Sequence, residues 1–164
     1  MKKVFLILLF AIVIKAQDYI AGYGFSMINY DYIIHSKAYD KNTYPALSFD
    51  ISTPVKSVSP DLQFFLKSGM EMKNFDANSY NLFYIDFLHF EYAISQNYHF
   101  NFGFGHASIM TNTNAIAWQK SLALSYKNRW EFIFRDGRFE VDNDKSFQKF
   151  HYRSLSLHYR YYFE

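Results

Sequence analysis

The sequence predicts an all-β protein, an eight-stranded antiparallel transmembrane β-barrel whose strands follow one another in an up-and-down meander. The first observation is alternation: apolar or aromatic residues occupy every second position of most segments, which predicts strands because successive side chains point to opposite faces. The second is composition, since 50% of the 164 residues are hydrophobic and 22% are aromatic. The third is that short and longer connections alternate along the chain, as they do in outer-membrane barrels.

The first sixteen residues predict an export signal. Lys2 and Lys3 precede an apolar run over 4–14, and Lys15-Ala16 closes that run. The run is shorter than the roughly twenty residues that a membrane-spanning helix needs, so a cleaved signal peptide is favoured over an uncleaved anchor. We expect cleavage after Ala16, which leaves 17–164 as a single barrel domain.

Turn residues divide the remaining chain into eight predicted strands. These strands cover 18–30, 45–55, 60–74, 81–94, 98–110, 115–126, 130–137 and 149–164. The short connections are 56–59, 95–97 and 127–129, and the longer, more polar ones are 31–44, 75–80, 111–114 and 138–148. Outer-membrane barrels have short periplasmic turns and longer outer loops. The sequence therefore predicts an outer-membrane protein of a Gram-negative-type bacterium, with both termini on the periplasmic side.

The two faces of the predicted strands differ in chemistry. The face predicted to contact lipid carries Tyr19, Tyr23, Phe25, Met27, Leu47, Phe49, Ile51, Val55, Phe64, Leu66, Met70, Met72, Phe100, Phe102 and Phe104. The face predicted to line the lumen carries Gly22, Gly24, Ser26, Ser48, Asp50, Ser52, Asn101, Gly103, Gly105, Gln119, Ser121 and Ser125. A secreted lipocalin-like barrel with its apolar face inside is the alternative. Its outer face would need many Lys and Glu residues, which this polar face lacks.

Six charged residues are also predicted to point into the lumen. They are Lys67, Glu71, Glu91, Glu131, Arg135 and Arg160. An eight-stranded barrel is only wide enough inside for side chains, and buried ions must be paired. We therefore expect a salt-bridged interior without an open pore.

The last segment, 152–164, alternates aromatic residues up to Phe163. This segment resembles the insertion signal of outer-membrane barrels, although that signal usually ends on the aromatic residue and here Glu164 follows it. By its pattern, the whole mature chain resembles the small eight-stranded outer-membrane proteins. That resemblance implies an integral protein of the outer membrane.

Polar residues interrupt the apolar rows of strands four and five. A three-residue turn at 95–97 would place Asp86 opposite His106 and Tyr84 opposite Ser108, with Lys120 beside His106 on the next strand. In that register, His106 could accept the proton of Ser108 while Asp86 orients the imidazole. The candidate catalytic residues are therefore Ser108, His106 and Asp86, on the lipid-facing wall.

The segment Gly105-His106-Ala107-Ser108 resembles the His-x-Ser site of the lipid A 3-O-deacylase family. The resemblance implies an acyl-ester hydrolase that acts on lipopolysaccharide from the barrel's outer wall. Family members usually have Asn where Ile109 stands and an acidic residue where Lys120 stands, and their site lies in the closing hairpin, whereas two strands follow it here. The alternative is an interfacial ion cluster formed by Asp86, His106 and Lys120. We favour that alternative, and with it a non-catalytic envelope protein.

Other classes of site find little support in the sequence. The chain has no cysteine and a net charge of only +2, which argues against disulfides, thiolate metal sites and nucleic-acid binding. The histidines lack the spacing of a metal site, so no metal or cofactor is expected. Trp118 and Trp130 are predicted in the interfacial aromatic girdle. The expected partners are outer-membrane lipid or lipopolysaccharide and a surface partner contacted through 31–44 and 138–148, and the barrel is expected to be a monomer.

Overall fold

The computed structural model describes the backbone of residues 19–34, 37–73, 81–110, 115–143 and 146–163, and their side chains outside 30–42, 109–116 and 139–150. Within these residues the chain is a closed antiparallel barrel, and each strand pairs with the next in sequence until the last pairs with the first. The strands are β1 (Tyr19–Ile34), β2 (Lys37–Ser59), β3 (Leu62–Met72), β4 (Asn81–Ala93), β5 (Tyr98–Met110), β6 (Ala115–Tyr126), β7 (Trp130–Asn143) and β8 (Ser146–Phe163). The predicted fold class, strand number and strand order are confirmed. The described part of the chain has no helix that is long and apolar enough to cross a membrane.

Three tight turns lie at one end of the barrel, which we call the turn end. They follow β2, β4 and β6, and Tyr19 pairs with Phe163 at the same end. In the third turn, Lys127 and Asn128 adopt left-handed backbone angles with φ of 51° and 55°. Such angles match the twist of a tight hairpin. The predicted turns at 95–97 and 127–129 are confirmed.

The predicted turn at 56–59 is wrong, because β2 continues to Ser59 and the chain reverses at 60–61. The register between β2 and β3 shifts at Val55 and again at Val58. Each irregularity inserts one extra residue, which breaks the alternation while backbone pairing continues. The loss of alternation therefore looked like the end of a strand.

Two of the predicted long loops are mostly strand. In the range 31–44, β1 continues to Ile34 and β2 begins at Lys37, and these two residues pair. In the range 138–148, Asn143 pairs with Ser146 in the same way. Backbone pairing does not require an apolar face, so extensions with polar sequences carry no alternation signal. The predicted connections at 75–80 and 111–114 lie outside the described residues.

The wall is apolar outside and mostly polar inside, as predicted, and a cluster that includes Ile28, Leu82 and Tyr152 forms an apolar part of the interior. Phe25 is 74% exposed, whereas Arg135 and Glu71 are 0% exposed. The small and polar residues predicted to line the lumen are buried or half-buried. The lipocalin-like alternative is wrong, because it requires the opposite arrangement.

A β-bulge in β4 exchanges the two faces of that strand. Phe87 has no pairing partner on either neighbouring strand. On β5, Gly105 pairs with Asp86 and Phe104 pairs with Leu88. On β3, Leu66 alone stands opposite Phe87 and Leu88. Before the bulge the inward residues are Leu82, Tyr84 and Asp86, and after it they are His89 and Glu91. The prediction that Asp86 and Tyr84 lie on the lipid-facing wall is therefore wrong.

Candidate functional site

The predicted catalytic acid does not reach the predicted base. Asp86 is 0% exposed inside the barrel. Its carboxylate accepts hydrogen bonds from Gln119 Nε2 at 2.6 Å and Ser121 Oγ at 3.1 Å. His106 pairs with Ile85 across β4 and lies on the outer face. The expectation that Asp86 orients His106 is wrong, because the bulge at Phe87 places the two side chains on opposite sides of the wall.

His106 and Ser108 share the outer face of β5, as the alternation predicts. The imidazole of His106 packs against Trp118, with ring centroids 4.1 Å apart, and against Phe87, with centroids 5.6 Å apart. Its Nδ1 lies 3.4 Å from the carbonyl oxygen of Ala117. Among the described residues, no carboxylate pairs with His106. Lys120, predicted beside His106, instead stands opposite Phe104.

The first interior ion cluster surrounds Lys67. Its Nζ lies 2.7 Å from Glu131 Oε2 and 3.4 Å from Asp50 Oδ2. His158 is a second partner of Asp50, since its Nδ1 is 2.6 Å from Asp50 Oδ2. Asn101 donates to the other oxygen of Glu131 at 2.7 Å. Donor atoms of Asp50, Glu131 and His158 lie within 4.8 Å of one another, as in a metal site. Here the Lys67 ammonium supplies the cation that the two carboxylates need.

The second interior cluster surrounds Arg135. Its Nη1 lies 3.0 Å from Glu71 Oε1, and its Nη2 donates to the hydroxyl of Tyr84 at 2.6 Å. The guanidinium carbon also lies 3.9 Å from the centre of the Tyr84 ring. Ser154 donates to Glu71 at 2.8 Å. This cluster joins β3, β4, β7 and β8 across the lumen.

A third cluster lies nearer the turn end. Arg160 Nη1 is 2.9 Å from Glu91 Oε2, and His99 Nδ1 is 2.8 Å from Glu91 Oε1. Together the three clusters pair all six charges that the sequence placed inside. The sequence prediction placed Asp86 on the outer face and did not single out His89 as an interior ionisable group, whereas His158 lies inside on the polar face of the last strand, as its alternation predicts. The signal was present in β4, because its polar residues change from even to odd positions between Asp86 and His89.

A different group of charges lies on the outer wall, which we call the basic wall patch: Lys120, Arg138, His151 and Arg153 around Asp136. Asp136 lies 3.6 Å from Lys120 Nζ, 3.3 Å from Arg153 Nε and 2.6 Å from His151 Nε2. Arg138 is exposed beside them. A groove of about 210 Å³ runs between Phe104, Trp118, Lys120, Asp136 and Arg138. Of this patch, only Lys120 stood out in the sequence.

Comparison with known proteins identifies the fold and no family. No family model matches the chain, and no curated protein matches its sequence. Among solved structures, Ail, the attachment invasion locus protein of Yersinia pestis, in complex with the heparin analogue sucrose octasulfate, is similar with a TM-score of 0.50 and 10% identity, covering 88% of this chain and 98% of Ail. Neisserial surface protein A gives a TM-score of 0.49 and 13% identity over 88% of this chain and 96% of that protein. The chain therefore has the fold of small eight-stranded outer-membrane barrels.

Proposed function

We propose that this protein is an integral outer-membrane barrel with a non-catalytic role in the cell envelope. The main support for the proposal is that the barrel wall exposes apolar side chains on its outside and buries charged side chains on its inside. Phe25, Phe132 and Leu157 are 74%, 53% and 50% exposed on the outside, whereas the charged residues Arg135 and Glu71 are 0% exposed inside. A continuous apolar wall of this kind is an aggregation hazard in water and the normal surface of a barrel in lipid.

The height of the apolar wall supports a membrane location. Trp130 begins β7 at the turn end, and Trp118 stands level with Arg138 further along the same strand. At about 3.3 Å per residue and a strand tilt of about 40°, the two tryptophans are separated by roughly 20 Å along the barrel axis. Apolar bands of outer-membrane barrels are about 25 Å high and are bordered by aromatic residues. The separation of the two tryptophans therefore fits one at each membrane–water interface.

The lumen supports a structural role and not a channel. Inside the barrel, Lys67, Arg135 and Arg160 are each paired with a carboxylate. Paired interior ions make the barrel rigid, so its outer wall and its hairpin tips are the parts that can contact partners. We propose a monomer that contacts outer-leaflet lipid or lipopolysaccharide through the wall and a surface partner through the tips of the β1–β2 and β7–β8 hairpins. In planar bilayers the protein should show no stable ohmic conductance.

The proposal includes export by residues 1–16 and removal of that segment after Ala16. Mass spectrometry of the protein extracted from outer membranes should then give a chain that begins at Gln17. In the same preparation, the barrel should migrate differently on a gel before and after heating, because folded barrels resist detergent until they are heated. A chain found soluble in the periplasm would contradict the proposal.

The surroundings of His106 favour the non-catalytic role over the acyl-ester hydrolase. A Ser-His pair without an orienting acid lacks the group that fixes the imidazole and stabilises its charged form. Lipid A mass spectrometry tests the choice in cells that express the parent protein or Ser108→Ala. We expect the same lipid A in both strains. Loss of one acyl chain with the parent protein alone would establish the hydrolase and overturn the proposal.

A further inference from the structure

Away from the turn end, the Lys, Arg, Asp and Glu side chains of the described outer wall are confined to β6, β7 and β8. Cross-strand pairing arranges this part of the wall in three rows. The row nearest the turn end is apolar throughout, with Phe102, Leu122, Phe134 and Leu155 in register. The next row carries Lys120, Asp136 and Arg153, and the row beyond it carries Trp118, Arg138 and His151. The wall thus changes from apolar to basic within two residues on three adjacent strands.

The basic wall patch has more positive than negative charge. Lys120, Arg138 and Arg153 are basic, and within β6, β7 and β8 Asp136 is the one acid in the two rows. On the neighbouring strand β1, Asp31 pairs with His151. The side chains of Lys120 and Arg153 are 62% and 55% exposed, so they contact Asp136 without being enclosed by the protein. Asp136 holds its neighbours on one face of the wall and leaves an excess of positive charge. Arginine and lysine arranged in this way favour phosphate oxygens.

The position of the patch selects the source of the phosphate. The patch lies at the level of Trp118, one of the two proposed interfaces, and away from the turn end that carries the short connections. A lipid headgroup would lie at that level, and its acyl chains would run along the apolar row below, where Leu122 is 43% exposed and Leu155 is 46% exposed. A free phosphate ion would gain nothing from that apolar row.

We propose that the basic wall patch binds the phosphorylated headgroup of an outer-leaflet lipid, with Lys120, Arg138 and Arg153 contacting the phosphate and the apolar row below contacting the acyl chains. The proposal rests on the membrane location proposed above. His151 and Asp136 position the cations. The groove between Phe104, Trp118 and Arg138 receives the part of the headgroup closest to the wall.

The test measures lipid binding to the refolded full barrel in neutral detergent, with Trp130→Phe present so that Trp118 is the reporting fluorophore. The titrants are diphosphorylated lipid A, the same lipid without phosphates, and inorganic phosphate. We expect saturable binding of the phosphorylated lipid at the lowest concentration, with no comparable response to the other two. Lys120→Gln/Arg153→Gln should weaken that binding about tenfold or more, since a hydrogen bond to a charged group contributes at least that factor.

The matched control is Lys56→Gln/Arg129→Gln, which removes one lysine and one arginine that are exposed at the turn end. This control should bind like the parent. Asp136→Asn should retain or tighten binding, because it removes the negative charge from the patch. Equal binding of the lipid with and without phosphates, equal loss in both double variants, or binding of inorganic phosphate alone would overturn the proposal. So would a dimer that forms through this wall and excludes the lipid.

Flotation of the same proteins with phospholipid vesicles tests the membrane location independently of the proposed binding site. A parent protein that does not float would contradict the membrane location. A parent protein that floats without discriminating between the phosphorylated and dephosphorylated lipids would contradict the binding site alone.

Discussion

Charged side chains occupy two environments in this barrel, and they are arranged differently in each. In the lumen, Arg135 and Glu71 are both 0% exposed and lie 3.0 Å apart. On the outer wall, Lys120 is 62% exposed and lies 3.6 Å from Asp136. A buried ion needs close partners because it has lost its water, whereas an exposed ion does not. The comparison indicates that the inner charges are required for the fold and that the outer ones are available for binding.

The largest effect is expected where one partner of an inner pair is removed. Glu71→Gln leaves the Arg135 guanidinium buried without its carboxylate, which should lower the free energy of unfolding by about 3–5 kcal/mol. Denaturant unfolding of the barrel in phospholipid vesicles measures this. The double variant Glu71→Gln/Arg135→Met removes both charges and should recover part of the loss. A single variant as stable as the parent would contradict the view that the inner pairs are required.

The next effect tests whether the apolar rows contact hydrocarbon. Leu155 lies opposite Phe134, about midway between the two proposed interfaces. Leu155→Arg should cost about 2–4 kcal/mol in vesicles, as a cation does near the centre of a bilayer. Leu155→Met, which keeps an apolar side chain of similar volume, should cost less than about 1.5 kcal/mol. Equal stability of the two variants would place this row outside the hydrocarbon.

A smaller effect tests the bulge that separates Asp86 from the outer wall. Deleting Phe87 leaves Asp86 inside and Leu88 outside, because both neighbouring strands already skip this residue. We expect a loss of about 1–2 kcal/mol from the missing contacts of the Phe87 ring with Phe104 and Trp118. Deleting Ile85 should be far more damaging, since it moves neighbouring side chains to the wrong face. Similar stabilities for the two deletions would show that the bulge does not set the faces.

The smallest effect is expected on the outer wall. Lys120→Gln should change the free energy of unfolding by less than about 1 kcal/mol, because exposed ion pairs contribute little. The same unfolding experiment measures it, with Lys56→Gln as the control. A loss comparable to that of Glu71→Gln would make the basic wall patch a structural element and remove the contrast between the two environments.

The sequence was sufficient for the parts of the fold that alternation records. Eight strands, their order and the inward position of charges such as Lys67 and Arg160 follow from the period of two, because alternation separates a polar face from an apolar one. The extensions of β1, β2, β7 and β8 were missed. Their backbones pair, but their sequences carry no clear alternation from which a strand could be predicted.

The position of Asp86 in the candidate site was predicted wrongly because it depends on a shift of one residue in the register of β4. Phe87 and Leu88 are both apolar, so the sequence could be assigned an unbroken alternation from Leu82 to Phe90. The bulge at Phe87 moves Asp86 to the interior and leaves His106 without its expected partner. The change of the polar residues from Asp86 to His89 was the available signal. The basic wall patch was missed for another reason, since its members come from three strands and meet only through pairing.

The pairing of β1 with β8 also constrains how the molecule can form. The closing seam joins the first and last strands of the barrel along the length of β1. While earlier strands are in place and β8 is not, both ends of the growing sheet present unpaired backbone groups, which readily pair with other chains. Contacts between such distant parts of a chain are slow to form, so an assembly intermediate with two open edges should be long-lived. Assembly of this barrel therefore requires that these edges be shielded until the final strand pairs.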